Sequence, residues 1–425
     1  MEKTIGFASF PDFSGNSKAL YEDMSNCKCN LVWFCKDRNI ADKLKQKGIN
    51  ALWEKDDIFQ EEFKKVNILI NTHDDYLDLK QDNQIFINLW HGLGPKKGGV
   101  LLENEIDWNY KFCTKNDYLI APSEFGRFIY STTFNMPFYK VKQFPQARYK
   151  WLFENKGKDN LEKVLNTNIK KFNKIIMYAP TFKQGLGRKE TQVNDNNILN
   201  LNYYEEDELV NFLEQNNYLL LLKLHPSEER NIPEINTDNI LVLKDENMLD
   251  NFITINEIMD GVDLLISDYS SIFIDYINLE KPVIFFDTDK KAYQKNRGVI
   301  FNNTDFWWSA GPKVHELSDF VIEVKELLDN TNYYKDERHS FNQLVNGEKD
   351  KNNEELINFI LNLENIQKEN TNIYGQALFE KQNEQLKEKI EKLTQEKRQL
   401  RDELDSIIYS RTYKFSKKIA KILKK

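Results

Sequence analysis

The 425-residue sequence contains no apolar run that approaches the ~20 residues needed to cross a bilayer. It also lacks a recognisable secretion signal. The opening MEKTIGFASF is too short an apolar stretch and runs into the turn-like PDFSGN. Cysteine is scarce: Cys27, Cys29, Cys35 and Cys113 form no C-x-x-C pair and have no nearby histidine, which excludes a zinc site and predicts buried thiols in a reducing compartment. These absences predict a cytoplasmic protein, soluble or peripheral to a membrane. Acidic residues are missing altogether from positions 409–425, which carry seven Lys or Arg. The chain as a whole has a net charge of −8, so the body is acidic. An acidic body excludes wholesale nucleic-acid binding, and a basic end on it points to an anionic surface, with lipid the usual one.

Apolar residues make up 40% of the chain, enough for real cores. Short apolar runs alternate with amphipathic stretches. TIGFASF, NLVWFC, NILIN, QIFINLW and DYLIAPS read as buried parallel strands, with helical spacing over 37–47 and 56–65. A second set follows: KIIMYAP, YLLLLKLHP, NILVLK, DLLISD and KPVIFFD, with helices expected over 205–216, 254–261, 270–279 and 316–329. The pattern predicts an α/β fold of two tandem Rossmann-like domains, 1–150 and 170–365, with a ligand crevice at the carboxyl ends of the strands, as in the GT-B type of glycosyltransferase. Residues 376–408 differ. Phe379, Leu386, Leu393, Leu400 and Ile407 recur every seventh position, and Asn383, Ile390, Lys397 and Leu404 fill the alternate seam, which predicts a coiled coil and a small homo-oligomer. In 409–425, Phe415, Ile419, Ile422 and Leu423 share one helical face opposite lysines, the pattern of a basic amphipathic membrane-surface tail.

With only five histidines, each context carries information. His91 ends a strand in INLWHGLGPKKGG, where the glycines let backbone approach a ligand and a general base would stand at the crevice rim. His225 ends another strand in LLLLKLHPSEE, with Lys223 on the same strand, a pairing suited to a diphosphate. A buried strand then runs into Asp268, Ser270 and Ser271 at an expected helix start, an anion-binding geometry, with Asp268 and Asp275 read as orienting neighbours or meeting a ribose. Thr181 and Lys183 follow a strand, Arg297 and Gly298 lie in a late loop, and Ser123 opens a helix.

Taken together, these segments resemble the CDP-glycerol:glycerophosphate glycerophosphotransferase family, the primases and polymerases of teichoic acid and related capsule synthesis. The resemblance rests on His91-Gly92-Leu93-Gly94-Pro95-Lys96-Lys97, Tyr178-Ala179-Pro180-Thr181, Lys223-Leu224-His225-Pro226, Ser267-Asp268-Tyr269-Ser270-Ser271, Arg297-Gly298 and Gly311-Pro312, in that order, over roughly residues 85–330. Two features depart from the family pattern. Gly94 is an extra residue before Pro95, and Phe144-Pro145-Gln146-Ala147-Arg148-Tyr149 replaces a G-x-P-R-x-D turn. The resemblance implies attack by an acceptor hydroxyl on the β-phosphorus of a CDP-alditol, with release of CMP. It implies His91 as base and His225 as the second catalytic residue. Lys223, Asp268, Ser270, Ser271, Thr181, Lys183, Arg297 and Gly298 would lie on the donor, and Gly92, Lys96, Ser123 and Arg148 on the acceptor side. The acceptor would be lipid-linked or a glycan, and the enzyme would sit on the inner face of the cell membrane. No carboxylate cluster demands a metal; Mg²⁺ would enter only with the diphosphate. Two other readings stay open at this level. One is a glycosyltransferase of the same architecture, which would release a nucleoside diphosphate; the other is a non-catalytic membrane adaptor.

Overall fold

The computed structural model describes residues 3–181, 197–229, 232, 237–288, 290, 293, 298–301, 304–330, 332–347, 352–363, 373–410 and 414–418. Lys183, Arg297 and the tail beyond 418 lie outside them. Two compact units divide at residue 357.

The first unit holds two parallel sheets. Strands β1 (Thr4–Phe7), β2 (Asn30–Cys35), β3 (Ala51–Trp53), β4 (Ile68–Asn71), β5 (Ile85–Asn88), β6 (Tyr118–Ala121) and β7 (Val141–Gln143) are arranged 3-2-1-4-5-6-7. Strands β8 (Lys174–Tyr178), β9 (Tyr218–Leu222), β10 (Ile240–Val242), β11 (Leu264–Ser267), β12 (Val283–Phe286) and β13 (Lys313–Val314) are arranged 10-9-8-11-12-13. Every ladder is parallel, so helices must cover both faces, and the strands are apolar throughout rather than alternating. Tyr218–Leu222 and Leu264–Ser267 are buried at every position. In each sheet the strand order reverses once, between β1 and β4 and between β8 and β11. A doubly wound sheet leaves its ligand crevice at that switch.

Helices form at 38–46, 59–64, 206–216 and 317–329, within a few residues of expectation. Residues 254–261 do not form one helix. They make two 3₁₀ turns, Ile255–Glu257 and Met259–Gly261, closed by bonds from the Ile258 amide to the Ile255 carbonyl (3.3 Å) and from the Gly261 amide to the Ile258 carbonyl (3.0 Å). The helix expected over 270–279 is Ile272–Tyr276 followed by a 3₁₀ turn. Beyond the second sheet the chain returns to the first. Helix Lys335–Asn346 packs on helix Glu124–Thr133, Tyr149 donates to Asn346 Oδ1 (2.7 Å), and Asn353 donates to the Ala147 carbonyl (3.1 Å). None of the four cysteines forms a disulfide; Cys35 and Cys113 are buried as expected, whereas Cys27 and Cys29 are only half-buried.

The second unit is dominated by one 37-residue helix, Ile373–Tyr409. Leu386, Ile390, Leu393, Leu400 and Leu404 are each more than half exposed along it. A short helical stretch resumes over 414–418, with Phe415 exposed. No helix among the described residues is long and apolar enough to cross a membrane.

Candidate active site

The loop after β5 is built to present His91. Asn88, fully buried, accepts a hydrogen bond from the Trp90 amide (2.8 Å), and Trp90 takes a left-handed φ of 52°. That conformation is unfavourable for an aromatic residue and turns the chain sharply, so His91 lines a cleft of about 540 Å³, open to it on one side and packed by His73 and Trp90 on the other. Gly92, at φ 145°, has a backbone conformation that other residues rarely adopt, and a Cβ would crowd Ser271 Oγ (3.2 Å) and the Arg148 guanidinium (3.3 Å). Gly94 faces Ser271 as well, with a Cβ contact of 3.0 Å. The extra glycine of the sequence is therefore a place where the two halves of the unit touch. Lys96 bridges Val299 in antiparallel fashion, and Ile300 N–H donates to the Pro95 carbonyl (2.8 Å). Gly298, at φ 75°, packs against Lys97. The His91 loop of the first sheet is thus fastened to the Ser271 and Gly298 loops of the second.

The protonation of His91 follows from its contacts. Nδ1 lies 3.2 Å from the Thr72 carbonyl, which can only accept, so Nδ1 carries the proton and Nε2 keeps its lone pair. Desolvation by the surrounding protein holds the pKa well below the usual imidazole value, and the charges of Arg148 and Lys96 push it the same way. His91 is therefore neutral at physiological pH. The His73 ring stacks on it at 4.2 Å and 10°, and Trp90 packs against it at 4.1 Å. Sequence reasoning missed His73 and Thr72. The signal was present, since N-T-H-D-D follows β4 just as W-H-G follows β5.

Arg148 is buried and fully engaged. It forms a two-point ion pair with Asp275 (2.8 and 3.0 Å) and donates to the His91 carbonyl (3.0 Å). Asn256 also donates to Asp275 (2.8 Å). Arg148 therefore clasps the two sheets together beneath the cleft. Ser123 caps a helix, accepting from the Gly126 amide (3.0 Å), and is buried. Of the residues expected on the acceptor side, Gly92 and Lys96 line the cleft; Ser123 and Arg148 are committed to structure.

On the other side, Asp268 sits at the switch between β8 and β11. Its Oδ1 accepts from the amides of Thr181 (2.6 Å) and Ser270 (3.2 Å), and its carbonyl accepts from Trp308 Nε1 (2.9 Å). Asp268 thereby staples two strand ends. Its Oδ2 and the Thr181 hydroxyl are buried with no hydrogen-bond partner among the described residues. Ser271 is the residue that reaches the His91 cleft. Lys223 is held by Asp245 (2.8 Å), the Leu224 carbonyl (2.8 Å) and Glu229 (3.4 Å), so its charge is largely compensated. His225 is exposed at the end of β9, on a different strand end from Asp268. Among the described residues no group of three or more His, Cys, Asp or Glu could hold a metal ion.

Comparison with known proteins gives a consistent result. The chain is 27% identical over 377 residues to the teichoic acid glycerol-phosphate primase of Bacillus subtilis, covering 83% of this chain and 90% of that one. It is 27% identical over 370 residues to a teichoic acid poly(glycerol phosphate) polymerase of Bacillus spizizenii, covering 79% and 86%. Among solved structures, the wall teichoic acid polymerase TagF superposes with a TM-score of 0.69 at 21% identity, covering 86% of this chain and 89% of that one, which establishes a shared GT-B-like fold. The family of CDP-glycerol:poly(glycerophosphate) glycerophosphotransferases matches residues 1–362, and the chain belongs to it.

Proposed function

We propose that the protein transfers an alditol phosphate, glycerol phosphate first among them, from a CDP-alditol to a hydroxyl of a lipid-linked or glycan acceptor in cell-surface polymer synthesis of the teichoic acid or capsule type. The observation that carries the reading is the neutral His91, whose Nε2 lone pair is left for a substrate while the Thr72 carbonyl holds the Nδ1 proton. The acceptor oxygen bonds to the β-phosphorus, the bridging P–O bond breaks, CMP leaves, and the hydroxyl proton passes to Nε2. In this reading residues 1–150 form the acceptor-side domain and 170–365 the donor domain. His225, Ser270 and Ser271 meet the diphosphate with Lys183, Arg297 and Gly298. Asp268 and Thr181 shape the donor loop, and Lys223 acts on it through its Asp245 pair. Lys96 and Gly92 line the acceptor entrance, with Arg148 and Ser123 supporting it from behind. Mg²⁺ would arrive, if at all, with the diphosphate.

Residues 376–408 would pair as a coiled coil, which the exposed Leu386, Ile390, Leu393, Leu400 and Leu404 support. Residues 409–425 would hold the enzyme peripherally on the cytoplasmic face of an anionic membrane. The direct test is mass spectrometry of products formed from CDP-glycerol, or from CDP-ribitol, with a lipid-linked disaccharide. An acceptor heavier by one alditol phosphate, together with CMP, is expected. No transfer from either donor, with turnover of a nucleotide sugar and release of a nucleoside diphosphate, would overturn the reading in favour of a glycosyltransferase.

A further inference from the structure

The loop after β4, residues 72–75, is anchored far more heavily than a four-residue connection needs. Asn88, buried on β5, donates to the His73 carbonyl and accepts from the Trp90 amide, so one side chain ties both histidine loops together. Asn71, buried on β4, donates to the Asp75 carbonyl (3.2 Å). Lys36 from the end of β2 forms an ion pair with the buried Asp75, and Trp108 Nε1 donates to Asp74 (2.9 Å). Within the loop, Thr72 Oγ1 lies 3.0 Å from His73 Nδ1, and the Thr72 carbonyl faces His91 Nδ1. Phe10, from the loop after β1, meets the His73 ring edge-on at 5.8 Å. His73 therefore stands at the β1–β4 switch of the first sheet, held from several elements, with its face laid flat on His91.

We propose that His73 is a positioning residue for His91: it forms the fixed wall that holds the His91 ring plane against the cleft, and its ring face lies against the imidazolium that forms when His91 takes the acceptor proton. This rests on the reading of His91 as base. The physical reason is twofold. A hydrogen bond at Nδ1 fixes one edge of an imidazole but leaves rotation about that bond; two parallel rings at stacking distance remove it. Two imidazolium rings at 4.2 Å would repel, so only one of the pair can be charged. Burial keeps His73 neutral against the pull of Asp74 and Asp75, with Lys36 acting in the same sense as burial, while Arg148 and Lys96 face His91. A neutral aromatic face beside a new cation is favourable.

The test compares His73→Ala and His73→Phe with His91→Ala in the full-length protein. The readouts are CMP release from CDP-glycerol with a lipid-linked disaccharide, the Kd for CDP-glycerol by calorimetry, and the melting temperature. His73→Ala is expected to lower kcat by ~10–100-fold while the donor Kd and melting temperature stay near wild type. His73→Phe, which restores the wall, is expected to lose less. Should alanine unfold the loop, His73→Asn keeps a polar partner for Thr72 without a ring and carries the same expectation. An unchanged kcat in His73→Ala or His73→Asn, or a phenylalanine variant no better than alanine, overturns the proposal. If His91→Ala is inactive while His73→Ala matches wild type, the role of His73 alone fails. If His91→Ala stays active, the assignment of the base fails and His73 goes with it.

Discussion

A neutral imidazole can act as a base only through the nitrogen without the proton, so the tautomer of His91 matters as much as its position. The Thr72 carbonyl settles that tautomer, and the consequence is specific. If His91 is the acceptor-side base proposed above, His91→Ala should cost ~10²–10⁴ in kcat and leave CDP-glycerol affinity nearly untouched; stopped-assay kinetics and calorimetry on the same preparation check both halves. A variant that keeps more than about a tenth of the rate would remove His91 from the mechanism. The pH dependence follows from the same contacts. The base is competent when unprotonated, that is, above its pKa, and desolvation lowers that pKa from the ordinary imidazole value of 6.5. The acid limb of kcat/KM for the free enzyme should therefore fall below pH 6.5, and a limb at or above that value would contradict the environment described. His91 could be read from the sequence because a strand, a histidine and clustered glycines are all local. The ion pairs that consume Arg148 and Lys223 could not, since Asp275 lies 127 positions from Arg148 and Asp245 on another element from Lys223. A cation seen without its partner reads as a free ligand-binding charge.

At the scale of elements, parallel sheets buried on both faces leave the plainest mark a sequence can carry, and ten of the strands were legible as apolar runs for that reason. β3, β7 and β13 were not: each is two or three residues set among polar neighbours, unlike the equally short β10 within Ile240-Leu241-Val242-Leu243, and their existence depends on the neighbouring strand offering a ladder. Residues 254–261 have helical spacing, yet their amides bond three residues back rather than four, a local tightening that periodicity does not register. Loop-to-loop fastening was equally hidden: nothing in H-G-L-G-P-K-K announces that it will pair with Val299 or leave space for Ser271. The Arg148–Asp275 clasp gives this scale its prediction. Arg148→Ala strands a buried carboxylate and should destabilise the first unit by ~3–5 kcal/mol, measured by urea unfolding. Arg148→Met combined with Asp275→Leu removes both charges and should cost clearly less than Arg148→Ala alone. Equal losses would mean that the packing of these side chains, rather than their pairing, holds the sheets together.

For the whole molecule, the question is how an enzyme with no spanning helix among its described residues would meet the lipid-linked acceptor proposed for it. The chain ends in a segment with seven basic residues and no acid, following a helix with a row of exposed leucines. Each Lys or Arg near an anionic surface contributes ~1 kcal/mol, which for a single tail gives salt-sensitive, reversible binding. Pairing through 376–408 would place two tails on one surface, where the second binds at high effective concentration and the avidity rises without new contacts. Truncation to 1–408 should therefore abolish flotation with vesicles rich in anionic lipid at low salt, while full-length protein floats and is released as salt is raised. A seam variant, Leu393→Asp, should keep both tails yet bind more weakly, because it lowers only the avidity. If the full-length and truncated proteins float equally, or binding ignores lipid charge and salt, the tail is not the membrane device. Activity separates docking from chemistry. The truncated enzyme should process a short soluble acceptor at the full-length rate and lose turnover only on acceptor embedded in vesicles, since 409–425 lie outside the unit that carries His91.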